Sequence, residues 1–232
     1  MIDRAVRRSS PRGVSRKAPG HVPLHRGRVL AAALRLTDAH GLDALSMRKL
    51  AAELDVEAMS LYYHVPGKAA LLEGVAETVL AEVQLPRGDT GDWPEASRAV
   101  ARALRDNARA HPNAMPLLAS LGLGSSAARR HTEDVLGVVG AAGLAPQAAF
   151  TTFLVIRSYV LGYVLWEVRH AEAKAAGTIA ATEPELLMTA PHLATLATFI
   201  ATFDNDAEFE RGLEVIVAGL GSVVPAQGGV LT

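Results

Sequence analysis

The segment SMRKLAAELDVEAMSLYYHVPGK, residues 46–68, carries two amphipathic repeats separated by a very short connection. Met47, Leu50, Ala51 and Leu54 recur at i, i+3, i+4 and i+7, one face of a helix, and Ser46 stands where an N-cap hydroxyl would take up a free amide. After Asp55, Val56 and Glu57 the spacing resumes with Ala58, Leu61 and Val65. Pro66 pushes Val65 toward extended backbone and so closes the second helix. Two helices joined this closely must cross at a steep angle.

That geometry leaves Met59, Ser60, Tyr62, Tyr63 and His64 on the outer side of the second helix, a set of hydroxyl, aromatic and imidazole groups without a carboxylate. Such a surface suits the major groove of DNA: hydroxyls reach phosphates or base edges, Met59 and the rings meet thymine methyl groups, and Arg48 offers two donors to guanine. The same periodicity would serve two short helices packed inside any all-helical domain, with Tyr62 and Tyr63 as half-buried ring contacts. Periodicity alone leaves both readings open.

The run LSMRKLA, then LYYHV, then GK followed by Leu71 and Leu72, closely resembles the helix-turn-helix of the tetracycline-repressor family of bacterial transcription regulators, over about residues 26–84. The resemblance joins a capped helix, an Arg-Lys pair, an aromatic pair before His and a downstream Lys at fixed spacing. It implies that Ser46, Arg48, Ala58, Met59, Ser60, Tyr62, Tyr63, His64 and Lys68 contact bases or phosphates. Where the family usually has Gly in the turn, this chain has Asp55, one of the few other residues that tolerate a left-handed conformation, so the turn is expected to survive. Ala58 and Met59 differ from the residues of the tetracycline repressor itself, and its operator sequence does not carry over.

Outward from this unit, residues 26–40 read as a first helix with Val29, Ala33 and Leu36 facing the core and Gly41 as its C-terminal cap. Residues 68–84 read as a fourth helix through Leu71, Leu72, Val75, Val79 and Val83, and the Pro-, Gly- and Asp-rich residues 85–94 mark a domain boundary. Touching the DNA-binding helices at one end and the second domain at the other, the fourth helix is a natural lever. The first 28 residues hold eight cationic side chains against one acid, so the net charge of −1 hides a local +7. Residues 1–25, interrupted by Pro and Gly, are expected to form a disordered basic arm drawn to phosphates or a narrow minor groove, or a solvated terminus whose charge serves solubility.

Beyond residue 92 the pattern is helical throughout, with breaks near residues 111–112, 122–126, 143–146, 177–184 and 204–206 and no strand alternation. The expected architecture is all-α: an N-terminal three-helix domain with its connecting helix over residues 26–84, a helical ligand-binding and dimerisation bundle over 92–225, and a disordered tail over 226–232. The longest helix starts near Pro146 and runs past His170; it is apolar around most of its circumference, which demands burial on more than one side. With the last helix, residues 208–224, it matches in position the pair that forms the family's intersubunit four-helix bundle. The resemblance thus implies a homodimer through Phe150, Leu154, Leu161, Leu165, Leu213, Ile216, Val217 and Leu220; a wholly intrachain core is the alternative use of the same stripes.

Met115, Leu118, Leu121, Phe153, Tyr159, Tyr163, Trp166 and His170 combine apolar bulk with a few polar tips, the composition of a small-molecule site. The family analogy implies an unidentified small-molecule inducer there, and similarity to the tetracycline class extends through LGYVL, residues 161–165. Tetracycline itself is not expected: its repressors hold the drug and magnesium with Asn and His side chains, and counting from Trp93 puts Val100 at the Asn position. His111 and His131, alone beside helix breaks, read as surface residues. No phosphate loop, zinc-type His pair or catalytic constellation appears, so neither an enzyme nor a resident cofactor or metal is expected. Without cysteine there are no disulfides, and no apolar run free of charge spans a bilayer, because residues 150–168 include Arg157 and Glu167. A bacterial, cytoplasmic, ligand-released repressor on double-stranded operator DNA is the expectation; a helical small-molecule-binding or scaffold protein without DNA affinity is the alternative.

Overall fold

Ser46 Oγ accepts a hydrogen bond from the Lys49 amide at 3.2 Å, as an N-cap must, and α2 (Met47–Leu54) follows it. The helix stops at Asp55, whose φ of 54° and ψ of 51° place it in the left-handed region, and whose amide returns to Ala51. It is the one non-glycine residue with positive φ among the described residues, which are 23–88, 90–177 and 189–223 of this computed structural model. The turn expected from Asp in place of Gly is therefore made. After it comes α3 (Ala58–Tyr62), three residues shorter than the apolar spacing predicts, although the Val65 amide still reaches the Leu61 carbonyl at 2.8 Å.

Of these, α2 packs on α1 (Arg26–His40) and α3 on α2, while α4 (Lys68–Ala81) packs on α1, and all four share one core. Leu50, Leu61, Leu71, Val29 and Val75 are fully buried in one cluster, each contributing about 1.5–3 kcal/mol of transfer free energy. Gly74 permits the close approach of α4 to α1, since a Cβ there would collide with the Leu30 side chain. The expectation of disorder over residues 1–25 reaches too far: residues 23–25 are placed, and His25 caps α1 by accepting the Arg28 amide at 3.3 Å. The rest of the arm, residues 1–22, and the tail from 224 lie outside the described residues.

The second half is built from α5 (Trp93–Ala110), α6 (Met115–Ser120), α7 (Ser126–Ala141), α8 (Pro146–Ala175), the short α9 (Pro191–Ala194) and α10 (Ala197–Ala201), and α11 (Asn205–Val223). No β-strand occurs among the described residues. Asp92 caps α5 by accepting the Glu95 amide, and Asp204 starts α11 three residues earlier than predicted by accepting the amides of Asp206 and Ala207. By length and composition α8 is apolar enough to cross a bilayer, contrary to the sequence expectation; it is packed instead against α5, α7 and α11. Its Glu167 faces the α5 guanidinium groups of Arg105 and Arg109, while Arg98 and Arg102 of α5 pair with Glu214 and Glu210 of α11.

Candidate nucleic-acid interface and ligand cavity

Burying Leu61 at the centre of α3 decides what its neighbours do. Met59 is turned out to 71% exposure and Tyr63 to 88%, and Tyr62 is exposed as well, so the tyrosines are not ring contacts of the core. Exposed large side chains clustered on one short helix mark a contact surface rather than a packing defect. Arg48, Lys49 and Lys68 stand exposed and form no ion pair with the described residues. Lys49, the second member of the Arg-Lys pair, adds a cation that is not among the expected contact residues. Ala58, Ser60 and His64 are half-buried, with Ala58 touching the core, and Ser46 uses its oxygen as a cap, which leaves its hydroxyl proton free to donate.

A cavity of about 140 Å³ lies between α5, α6, α7 and α8. Met115, Leu118, Leu121 and Phe153 line it as predicted, joined by Leu104, Phe150, Val160 and Leu161. Its polar lining is sparse: Asn107, Thr132, His131 and Arg157. Asn107 donates to the Val79 carbonyl at 2.9 Å and Arg157 to the Leu118 carbonyl at 2.7 Å. His131 is buried rather than superficial, its ring edge-on to Phe153, and its Nε2 has no hydrogen-bond partner. Burial pushes the His131 pKa down; Asp134 opposes the shift and the Arg157 charge adds to it. Burial also lowers the Arg157 pKa.

Four predicted pocket residues lie elsewhere. Tyr159, Tyr163, Trp166 and His170 step by three and four residues along α8 and form a stripe roughly 100° around the helix from Phe153, outside the cavity. The Tyr159 hydroxyl donates to the Phe209 carbonyl at 2.8 Å and that of Tyr163 to the Asn205 carbonyl at 2.9 Å, which fastens α8 to the start of α11. Burial raises both phenol pKa values, that of Tyr159 to about 12. Trp166 stacks on His170 and meets Phe203 edge-on. Arg157, a lone cation between Phe153 and Val160 on an apolar helix, is the legible signal for the stripe that lines the cavity.

The predicted interface also needs correction. Leu213, Val217 and Leu220 are buried within their own subunit, because with Phe209 they form the stripe of α11 that faces α5 and α8. Leu154 and Leu165 are exposed as an interface requires, and Phe150, Leu161 and Ile216 are half-buried. What α11 presents to solvent instead is Val215, 70% exposed, with Ala218, Gly219 and Ser222 at helical spacing.

Cavity and head are tied through α4. Glu73 Oε1 accepts from the Ser125 and Ser126 hydroxyls and the Ala127 amide at 2.9–3.1 Å, holding the start of α7; the amide bond is the chief cause of its lowered pKa. Glu77 joins Arg26 of α1 to Arg130 of α7. His111, buried at the end of α5, spans Asp38 of α1 at 3.0 Å and Glu82 at 2.9 Å. Burial pulls the His111 pKa down, but hydrogen bonds to Glu82 and Asp38 outweigh it, and the net shift is upward.

Residues 29–75 match the sequence profile described as bacterial regulatory proteins, tetR family, and residues 85–224 that of the tetracyclin repressor-like C-terminal domain. An HTH-type transcriptional regulator of Saccharopolyspora erythraea is 31% identical over 85% of this chain and 84% of its own length. The class A tetracycline repressor from transposon 1721 in Escherichia coli is 34% identical, covering 83% of this chain and 88% of that one. The Streptomyces coelicolor TetR family protein ActR, in its crystal structure with actinorhodin, superposes with a TM-score of 0.72 at 32% identity over 88% of this chain and 98% of that one.

Proposed function

The chain belongs to the tetracycline-repressor family of DNA-binding transcriptional regulators, and from that premise we propose a homodimeric repressor that grips a near-palindromic operator and releases it when a small apolar or amphipathic molecule enters the cavity. The observation that carries this reading is the face of α3: Met59, Tyr62 and Tyr63 project from a buried Leu61, beside exposed Arg48, Lys49 and Lys68. Residues 26–84 serve as the DNA-binding unit and 92–225 as the ligand-binding and dimerisation unit. The family is regulatory rather than enzymatic, and a cytoplasmic location follows from the role.

Two copies meet through the exposed stripes of α8 and α11, Leu154 and Leu165 on one and Val215 and Ala218 on the other. Their α3 helices then face successive major grooves, roughly 34–36 Å apart. Actinorhodin, bound by the structural relative, supports an internal ligand site. A ligand pressing on α7 reaches α4 and α1 through Glu73 and Glu77, and it releases DNA by binding the DNA-free arrangement more tightly. A tetracycline–magnesium complex does not fit: Val100, buried in the apolar cluster that shares Phe153 with the cavity wall, offers no amide, and the described lining has a single imidazole and an already engaged amide.

Selection of bound fragments from random DNA tests the proposal. Two half-sites related by a two-fold axis, one helical turn apart, are expected. Enrichment of a single asymmetric site, or of none, would overturn it.

A further inference from the structure

We propose that the cavity selects an acidic ligand, an apolar ring or short chain bearing one carboxylate or ionised phenol, with Arg157 as the group that recognises the charge. This deepens the proposed function and rests on the cavity being the effector site.

Among the described residues Arg157 is the one cationic side chain on the cavity wall, and no described carboxylate lines the same space. Among the described residues it forms no ion pair. Its guanidinium gives one hydrogen bond, to the Leu118 carbonyl. A guanidinium carries five N–H donors in a fixed fork, so most of its donor capacity is left for something else. Holding a charge half-buried against apolar walls without a counterion is costly, and burial accordingly depresses its pKa. An anion arriving in the cavity offsets that cost and is bound by charge-assisted bonds; a neutral ligand leaves it in place.

The second polar group points the same way. His131, 8% exposed, lines the cavity with its Nε2 unpartnered. That nitrogen is itself sealed from the open space, so a hydroxyl or acid oxygen of the ligand reaches it as a second contact beside the guanidinium only after a small shift of the imidazole. The rest of the wall, from Met115, Leu118 and Phe153 to Val160, is apolar and takes the hydrocarbon part. A volume of about 140 Å³ accepts one six-membered ring without rearrangement. Monocyclic aromatic acids are therefore the ligands the cavity fits as it stands.

The test compares 4-ethylbenzoate with the isosteric 4-ethylbenzamide by calorimetric titration of the full-length protein. The acid is expected to bind about ten-fold or more tightly than the amide. In Arg157→Gln that preference collapses toward one-fold while amide binding persists, and Arg157→Lys restores part of it. Equal affinities in the wild type, no binding of the acid, or an undiminished preference in folded Arg157→Gln would each overturn the inference. The wild-type comparison stands even where a variant does not fold. Release of selected operator DNA by neutral ring compounds, with no preference for acids, would sink the ligand assignment and leave the regulator reading intact, whereas acid binding without any DNA site would do the reverse.

Discussion

Val215 and Leu213 sit two residues apart on α11, both aliphatic, yet they should fail in opposite ways. Val215 is 70% exposed and Leu213 fully buried. Full burial of a valine is worth about 1.5–3 kcal/mol, so covering what Val215 leaves in water yields roughly 1–2 kcal/mol per copy. A two-fold interface counts that twice. Val215→Arg therefore removes about 2–4 kcal/mol from association, a roughly 30- to 1,000-fold rise in the dimer dissociation constant, before any penalty for apposed charges. Leu213→Ala instead empties part of the subunit core, at about 2–5 kcal/mol, and lowers the melting temperature with the dimer still formed at low temperature. Sedimentation velocity over a concentration series, with thermal melts of the same samples, separates the two. A Val215→Arg protein that stays dimeric at unchanged dissociation constant, or a Leu213→Ala protein that dissociates without losing thermal stability, would refute the assignment of these faces.

Two further substitutions probe the supports of the site. Arg105 and Glu167 have side chains only 7% and 11% exposed, so Glu167→Gln leaves a buried guanidinium with Asp206 and the Asn205 carbonyl as its remaining partners. The cost should lie near the low end of the range for breaking a buried pair, about 3 kcal/mol, or roughly 6–12 °C in melting temperature by calorimetry; a change below 1 °C would contradict the pairing. For His111 the folded pKa is raised, so its contribution is fully present below the unfolded value of about 6.5 and is lost as pH rises through the folded value. The stability gap between wild type and His111→Gln, from melts across pH 5.5–8.5, should be widest at the acid end and narrow above neutrality. A gap that is flat or that grows with pH would show that His111 does not bridge Asp38 and Glu82 as an imidazolium.

The head was legible because its determinants are local. Ser46 caps by a contact three residues on, Asp55 turns by its own backbone tolerance, and the apolar spacing from Met47 to Leu61 sets which side is buried. Along α8 and α11 the pattern gives no such instruction. Both Leu213 and Val215 are aliphatic, and only the placement of α5 and α8 decides which is covered. Tyr159 and Tyr163 have the chemistry of pocket residues, but their hydroxyls reach main-chain carbonyls of α11, some 40 to 50 residues away, and spacing does not reveal that. His111 looked superficial because its two carboxylate partners come from α1 and from the end of α4. Arg157 was visible throughout as a charge on an apolar helix, and its meaning emerged once Leu118 and Phe153 were seen to share its cavity.

The central claim is that the outer face of the α2–α3 unit reads DNA, and the affinity of Arg48→Ala and Tyr62→Ala for a selected operator duplex at fixed salt tests it most directly. Both side chains are exposed and none of the core rests on them, so melting temperature and dimerisation should stay at wild-type values. Each substitution should weaken specific binding by about 1–3 kcal/mol, roughly 5- to 150-fold, with much less change on random-sequence DNA. Operator affinity unchanged in both variants would contradict the account, because DNA would then be bound by some other surface.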